Sequence, residues 1–261
     1  MNNRNSILVT GGETFLGVNI ASALLLEGAD VTLLVRPGAE DRLGVLARRV
    51  RWYPADVWDT ASLRGRARGN YMVIHTVGSM VADPARGLTH HRLNVISARN
   101  VANMCISDGV PYMMLLSTAA APWISRSYIR AKREAEQYLS RIGLHAAIVR
   151  APLVYARGMP RPWFYRAMTA LGSIPPISWL GFSRIAPMPM DVLARGTARL
   201  ALSPLGKTIY YAPDLRRLNR RDELRGQAEA MLAVEQSLRV TSESALPFDA
   251  MDDATPFGWT P

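Results

Sequence analysis

Six short apolar runs recur over the first 152 residues: SILVT (6–10), ADVTLLV (29–35), VRWYPAD (50–56), YMVIHTVG (71–78), YMMLLST (112–118) and HAAIVRAP (145–152). Segments of helical period separate them, and this alternation predicts parallel strands joined by helical crossovers. The runs are apolar almost throughout rather than at every second position, as strands are when helices cover both faces of their sheet. The expected fold is therefore α/β, a doubly wound Rossmann-type parallel sheet with a small C-terminal lobe. Two crossovers carry their own stop signals: LGVNIASALLLEG closes on Gly28, and HHRLNVISARNVANMCISDG closes on Gly109.

Beyond Pro152 the pattern loosens. The stretch RGMPRPWFYRAMTALGSIPPISWLGFSRIAPMPM (157–190) is rich in Pro, Gly, Met and aromatic residues and reads as a lid over the carboxyl edge of the sheet. Between Arg220 and Val240, Leu224, Ala228, Met231 and Leu238 fall near one helical face, which predicts a late amphipathic helix. The expected organisation is a core over 1–155, a lobe with returning core elements over 156–214, and a helix with an extended tail over 215–261.

Composition narrows the function classes. Hydrophobic residues at 49% and charged residues at 20% describe a globular chain rather than a disordered one. Cys105 is the single cysteine, so no intrachain disulfide forms. The longest nearly apolar run, VPYMMLLSTAAAPW (110–123), falls short of the roughly 20 residues that cross a bilayer, and no secretory hydrophobic region precedes residue 6. A cytoplasmic location is expected, with a peripheral seat on a membrane complex as the variant. The net charge of +10 suits an anionic ligand, membrane surface or protein partner. Arg216, Arg217, Arg220, Arg221 and Arg225 could meet phosphates, but such a cluster on a helix is ordinarily a solvated face, and nucleic acid is not the expected partner. No metal site is expected.

The segment ILVTGGETFLG (7–17) places a strand, a glycine turn and a helix start in the order that delivers backbone N–H groups to a pyrophosphate. Gly11 and Gly12 make the turn, Gly17 allows close helix–strand packing, and Phe15 and Leu16 open the apolar face of the helix. Here the chain resembles the short-chain dehydrogenase/reductase superfamily, whose extended and atypical members carry TGxxGxxG. Thr10, Gly11 and Gly17 match that pattern, while Thr14 stands at its middle glycine and narrows the approach to the phosphates or replaces it with a hydroxyl contact. At the end of the second run a carboxylate would bind the ribose 2′-OH and a cation a 2′-phosphate. Arg36 occupies that place, and Asp30 precedes the strand, so NADP(H) is expected over NAD(H).

The resemblance continues along the chain. YPADVWD is similar to the family's adenine-contacting pair, giving Asp56 and Val57, and VIHTVG to the fourth-strand motif, giving Val77 and Gly78. LNVISARNV is similar to the helix that follows. VRAPLVYARG resembles RPxxVYG, in which Pro152, Leu153 and Val154 flank the nicotinamide, and PMPMDVLARGTARLALSP and GKTIYYAPD carry the likeness to Asp214.

The candidate chemistry centres on Lys132, one of two lysines in a chain whose Lys+Arg count is 31. It lies four residues after Tyr128, so on a helix both project from one face. A free phenol has a pKa of about 10, and a nearby ammonium favours the phenolate and is expected to lower it. A compact lysine serves this purpose where the planar fork of arginine does not. The resemblance implies that Tyr128 exchanges a proton with substrate and that Lys132 also binds the nicotinamide ribose. Ala119 falls where extended enzymes carry a catalytic hydroxyl, leaving Ser117 and Thr118 as substitutes. The segment LLSTAAAPWISRSYIRAKREAE is more similar to the atypical branch that contains a nucleotide-binding accessory subunit of respiratory complex I. Two functions therefore stand open: an NADP(H)-dependent oxidoreductase, epimerase or dehydratase acting on a small carbonyl or sugar-type substrate, and a non-catalytic subunit that holds the same dinucleotide and binds a complex partner or membrane surface.

Overall fold

A computed structural model of the chain describes residues 4–156, 182–203 and 206–220. Seven parallel strands form the sheet: β1 (Ser6–Thr10), β2 (Asp30–Val35), β3 (Arg51–Pro54), β4 (Met72–His75), β5 (Tyr112–Thr118), β6 (His145–Ala151) and a late strand, Ile209–Tyr211. Between the last two lie β7 (Val154–Tyr155) and β8 (Met188–Pro189), a separate parallel pair, which makes Ile209–Tyr211 β9. The order across the main sheet is β3-β2-β1-β4-β5-β6-β9. All the expected strands are present, and the doubly wound Rossmann-type fold holds.

Apart from the exposed edge strand β3, the apolarity of the strands follows from two cores. Ile7 and Val9 of β1 face one side and Leu8 the other, and in β5 Met114 and Leu116 divide from Met113 and Leu115 in the same way. One core is completed by α1 (Phe15–Leu26), whose Ile20 and Leu24 are fully buried. On the other side lie the short α2 (Thr60–Leu63), α3 (Ser97–Asp108) and α4 (Arg126–Arg141), contributing Leu63, Val101 and Leu139. A further helix, α5 (Met190–Leu202), packs Leu193 and Ala198 into the α1 side. Gly109 ends α3 in the left-handed conformation at φ 72°, the stop expected of it.

The chain divides into two units, Met1–Asn219 and Arg220–Pro261. The helix over 212–220 buries Ala212 and Leu215 with the first unit's core. Most of the expected lid and all but the first residue of the expected late amphipathic helix lie outside the described residues. Among the described residues no helix is long and apolar enough to cross a membrane, and no cluster of His, Cys, Asp and Glu could hold a metal ion.

Candidate functional site

The strand order reverses between β1 and β4, and the loops leaving their carboxyl ends diverge to opposite faces of the sheet. A crevice opens at such a switch point. The turn after β1 enters it with Gly11 at φ 69°, and Gly17 lies so close that a Cβ there would stand 2.1 Å from the Gly11 carbonyl oxygen. Thr10 and Gly12 support the turn from beneath. The Thr10 hydroxyl pairs with His75 Nδ1 at 2.9 Å, and the Gly12 amide donates to the Leu34 carbonyl. Thr14 is the N-cap of α1: its Oγ1 accepts from the Gly17 amide and donates to the Gly11 carbonyl. Of the two roles expected of Thr14, a narrowed approach or a hydroxyl contact, the second would compete with these bonds to the protein's own backbone. Phe15 corrects another expectation, because it is 57% exposed while Leu16 packs partly on the core. A side chain in the first helical turn leans back over the preceding loop, away from the buried stripe.

Gly11, Thr14, Arg36, Asp56, Val57, Val77 and Gly78 line one cavity of about 240 Å³ at the switch point. Glu13, Arg42, Trp58, Ser79 and Leu93 line it too, and the sequence reading did not single them out. Two cations therefore share the cavity with Glu13, whose Oε2 is buried without a hydrogen-bond partner among the described residues. Asp56 is held by its own turn, its Oδ1 accepting from the Trp58 amide at 2.9 Å.

At the far end, α4 brings Tyr128 and Lys132 onto its buried face. Lys132 Nζ donates to the Leu116 carbonyl at 3.0 Å and stands 5.8 Å from the centre of the Tyr128 ring. Burial pushes this lysine down to about 8, opposed by the Glu136 carboxylate. Burial also pushes the Tyr128 phenol up to about 12, the reverse of the expected lowering by the ammonium. At this buried position, loss of water disfavours the phenolate more than the lysine favours it. Gly78 touches the same point, since a Cβ on it would stand 2.8 Å from Lys132 Nζ and 2.5 Å from Asn94 Oδ1. Asn94 sits in a π-helical stretch, His91–Ile96, and bridges Ser79 and His90: Oδ1 accepts from the Ser79 amide, and Nδ2 donates to both carbonyls. Such a bulge resets the side-chain register of a helix and recurs at functional sites.

Ser117 and Thr118 end β5 with their hydroxyls engaged. Ser117 Oγ donates to Glu136 Oε1 at 2.5 Å, inside a network in which Arg133 and Arg150 both bind Glu136 and Arg150 also meets the Tyr211 hydroxyl. Thr118 Oγ1 turns toward the neighbouring Ala119 carbonyl at 3.3 Å. Pro152 is buried after β6, Leu153 accepts from the Met188 amide, and Val154 pairs with β8, so this segment is pinned beside the sheet but does not line the cavity.

The model of a family described as NAD(P)H-binding matches residues 11–159. A ceramide reductase of Caulobacter vibrioides is 25% identical over 255 residues, covering 96% of this chain and 78% of that protein. Short-chain dehydrogenase/reductase family 42E member 1 of Danio rerio is 29% identical over 117 residues, 44% of this chain but 29% of its own length. Among solved structures, DesIV, a dTDP-glucose 4,6-dehydratase from Streptomyces venezuelae with NAD and TYD bound, superposes with a TM-score of 0.57 at 20% identity, covering 78% of this chain and 74% of that one.

Proposed function

The chain belongs to the NAD(P)H-binding family, and we propose that it is an oxidoreductase or epimerase in which Tyr128 exchanges a proton with a small carbonyl or sugar-type substrate. The observation that carries this reading is the meeting of Lys132 Nζ with Gly78, which joins the Tyr–Lys pair to the end of the glycine-turn cavity. The lining of the cavity supports a dinucleotide site that runs on toward Lys132. Gly11 and the start of α1 face its pyrophosphate, Asp56 and Val57 its adenine, Val77 and Gly78 its middle, and Lys132 its nicotinamide ribose. Arg36 and Arg42 favour a 2′-phosphate and hence NADP(H), with Glu13 as the opposing charge. When bound, the dinucleotide supplies or accepts the hydride. The buried phenol keeps its proton at neutral pH, which suits a general acid that protonates a carbonyl oxygen as it is reduced. Similarity to a ceramide reductase adds ceramide-type compounds to the substrates worth testing.

A second reading, a dinucleotide-holding subunit of a larger complex that does not turn over, is favoured by one observation: neither strand-end hydroxyl of β5 is free. Mass spectrometry of nucleotide released from the denatured protein, followed by a carbonyl panel with NADPH, separates the readings. Bound NADP(H) with turnover lost in Tyr128→Phe supports the enzyme. Bound nucleotide without turnover supports the subunit, and a protein whose melting ignores both nucleotides overturns each.

A further inference from the structure

A carbonyl oxygen that takes a proton from Tyr128 develops negative charge as hydride arrives, and a second hydrogen-bond donor aimed at it lowers the barrier. The β5 end does not provide one. Ser117 Oγ is committed to Glu136, Thr118 Oγ1 to the Ala119 carbonyl, and Ala119, Ala120 and Ala121 carry no hydroxyl.

His90 packs its ring against Tyr128. Its ring centre lies 5.7 Å from that of Tyr128 at a tilt of 57°, and Asn94 Nδ2 anchors its backbone carbonyl at 3.0 Å. Its Nδ1 is buried and has no hydrogen-bond partner among the described residues. A buried ring nitrogen is ordinarily paired, and this unpaired one belongs to a ring packed against the candidate acid.

We propose that His90 is a catalytic donor whose imidazole N–H binds the substrate oxygen in place of the missing hydroxyl. The assignment rests on the oxidoreductase reading above. Bound reduced dinucleotide would supply the hydride for the new C–H bond, the carbonyl π pair would move to oxygen, the Tyr128 proton would join that oxygen, and solvent would return a proton to the phenolate. The substrate is reduced and the dinucleotide oxidised. His90 lends a hydrogen bond throughout and keeps its own proton.

The test uses the full chain with NADPH and 9,10-phenanthrenequinone as the carbonyl probe. His90→Phe keeps a ring against Tyr128 without an N–H and should lower kcat by about 100-fold, with the Kd for NADPH unchanged. His90→Gln retains an N–H donor and should keep most of the activity. Adding Ala119→Ser to His90→Phe should restore at least about tenfold, which a packing role for His90 would not allow. If His90→Phe fails to fold, a comparison of His90→Gln with and without Ala119→Ser decides the matter, the added hydroxyl being expected to recover whatever the glutamine loses. Wild-type kcat in His90→Phe, or a loss that neither glutamine nor Ala119→Ser recovers, overturns the assignment while leaving the oxidoreductase reading intact. A wild-type chain that binds NADPH but does not reduce the probe overturns the assignment and weakens that reading as well.

Discussion

Thr14 Oγ1 accepts a hydrogen bond from the Gly17 amide at 3.0 Å, closing the start of α1 on itself where a pyrophosphate would look for donors. A helix start binds anions through its unpaired amides, and here one of them is already satisfied. Thr14→Gly should free the amide and tighten NADPH binding by about 3- to 10-fold, the worth of one hydrogen bond. Exchanging this cap for glycine should cost only a few tenths of a kcal/mol in stability. Calorimetric titration beside a melting curve checks both parts.

Arg36 is exposed at the end of β2, so its loss should not disturb folding. NADPH should raise the melting temperature more than NADH, because ligand binding to the native state stabilises it by mass action. Arg36→Ala should erase most of the difference, and Glu13→Gln should widen it by removing a carboxylate from the same cavity. Equal shifts with both nucleotides in the wild type would dismiss the arginine's role.

Gly78 has φ 152° and no room for a side chain. Gly78→Ala should force Asn94 and Lys132 apart, costing about 1–3 kcal/mol in the manner of an overpacked core. Nucleotide affinity should fall by more than the stability loss explains, because the displaced groups border the cavity. Denaturant unfolding and NADPH titration of one preparation give the two numbers.

His75 is fully buried between Thr10 and Ser97, and burial, reinforced by the Lys132 charge, pushes it down to about 3 from the usual 6.5. Between those values the unfolded chain binds a proton that the folded chain refuses. Stability therefore rises with pH through that window and is lost on acidification below about 6.5. One such proton corresponds to a slope of about 1.4 kcal/mol per pH unit. His75→Gln should flatten the fall between pH 6 and 4, as measured by urea unfolding, and an unchanged slope would place the acid sensitivity elsewhere.

What could be read from the chain follows from how local each signal is. The inner strands were legible because fully covered strands are apolar at nearly every position, whereas β3 is an exposed edge, and the cradle at Gly11 and Gly17 because turn, strand and helix are contiguous. The Tyr128–Lys132 pair lies within one helical turn. The network around Glu136 was not legible, since Arg133 is local but Arg150 and Tyr211 arrive from β6 and β9. Asn94 escaped notice because a π-helical stretch shifts its register away from the 3.6 period, and His90 because only folding brings it against Tyr128. Arg42 and Glu13 carry no motif; only folding brings them to one cavity. The phenol of Tyr128 failed for a different reason: its neighbours were read correctly, but the loss of water around it was not, and that sets its proton affinity.

The placement of β9 also bears on the order in which the molecule can be built. β6 pairs through Ile148, Val149 and Arg150 with Ile209, Tyr210 and Tyr211, so during synthesis its outer rim waits as an open template until the chain has been made past Tyr211. An unpaired rim invites another copy of the same segment. A chain interrupted before Ile209 should therefore retain the glycine turn and the Tyr–Lys helix yet self-associate through β6.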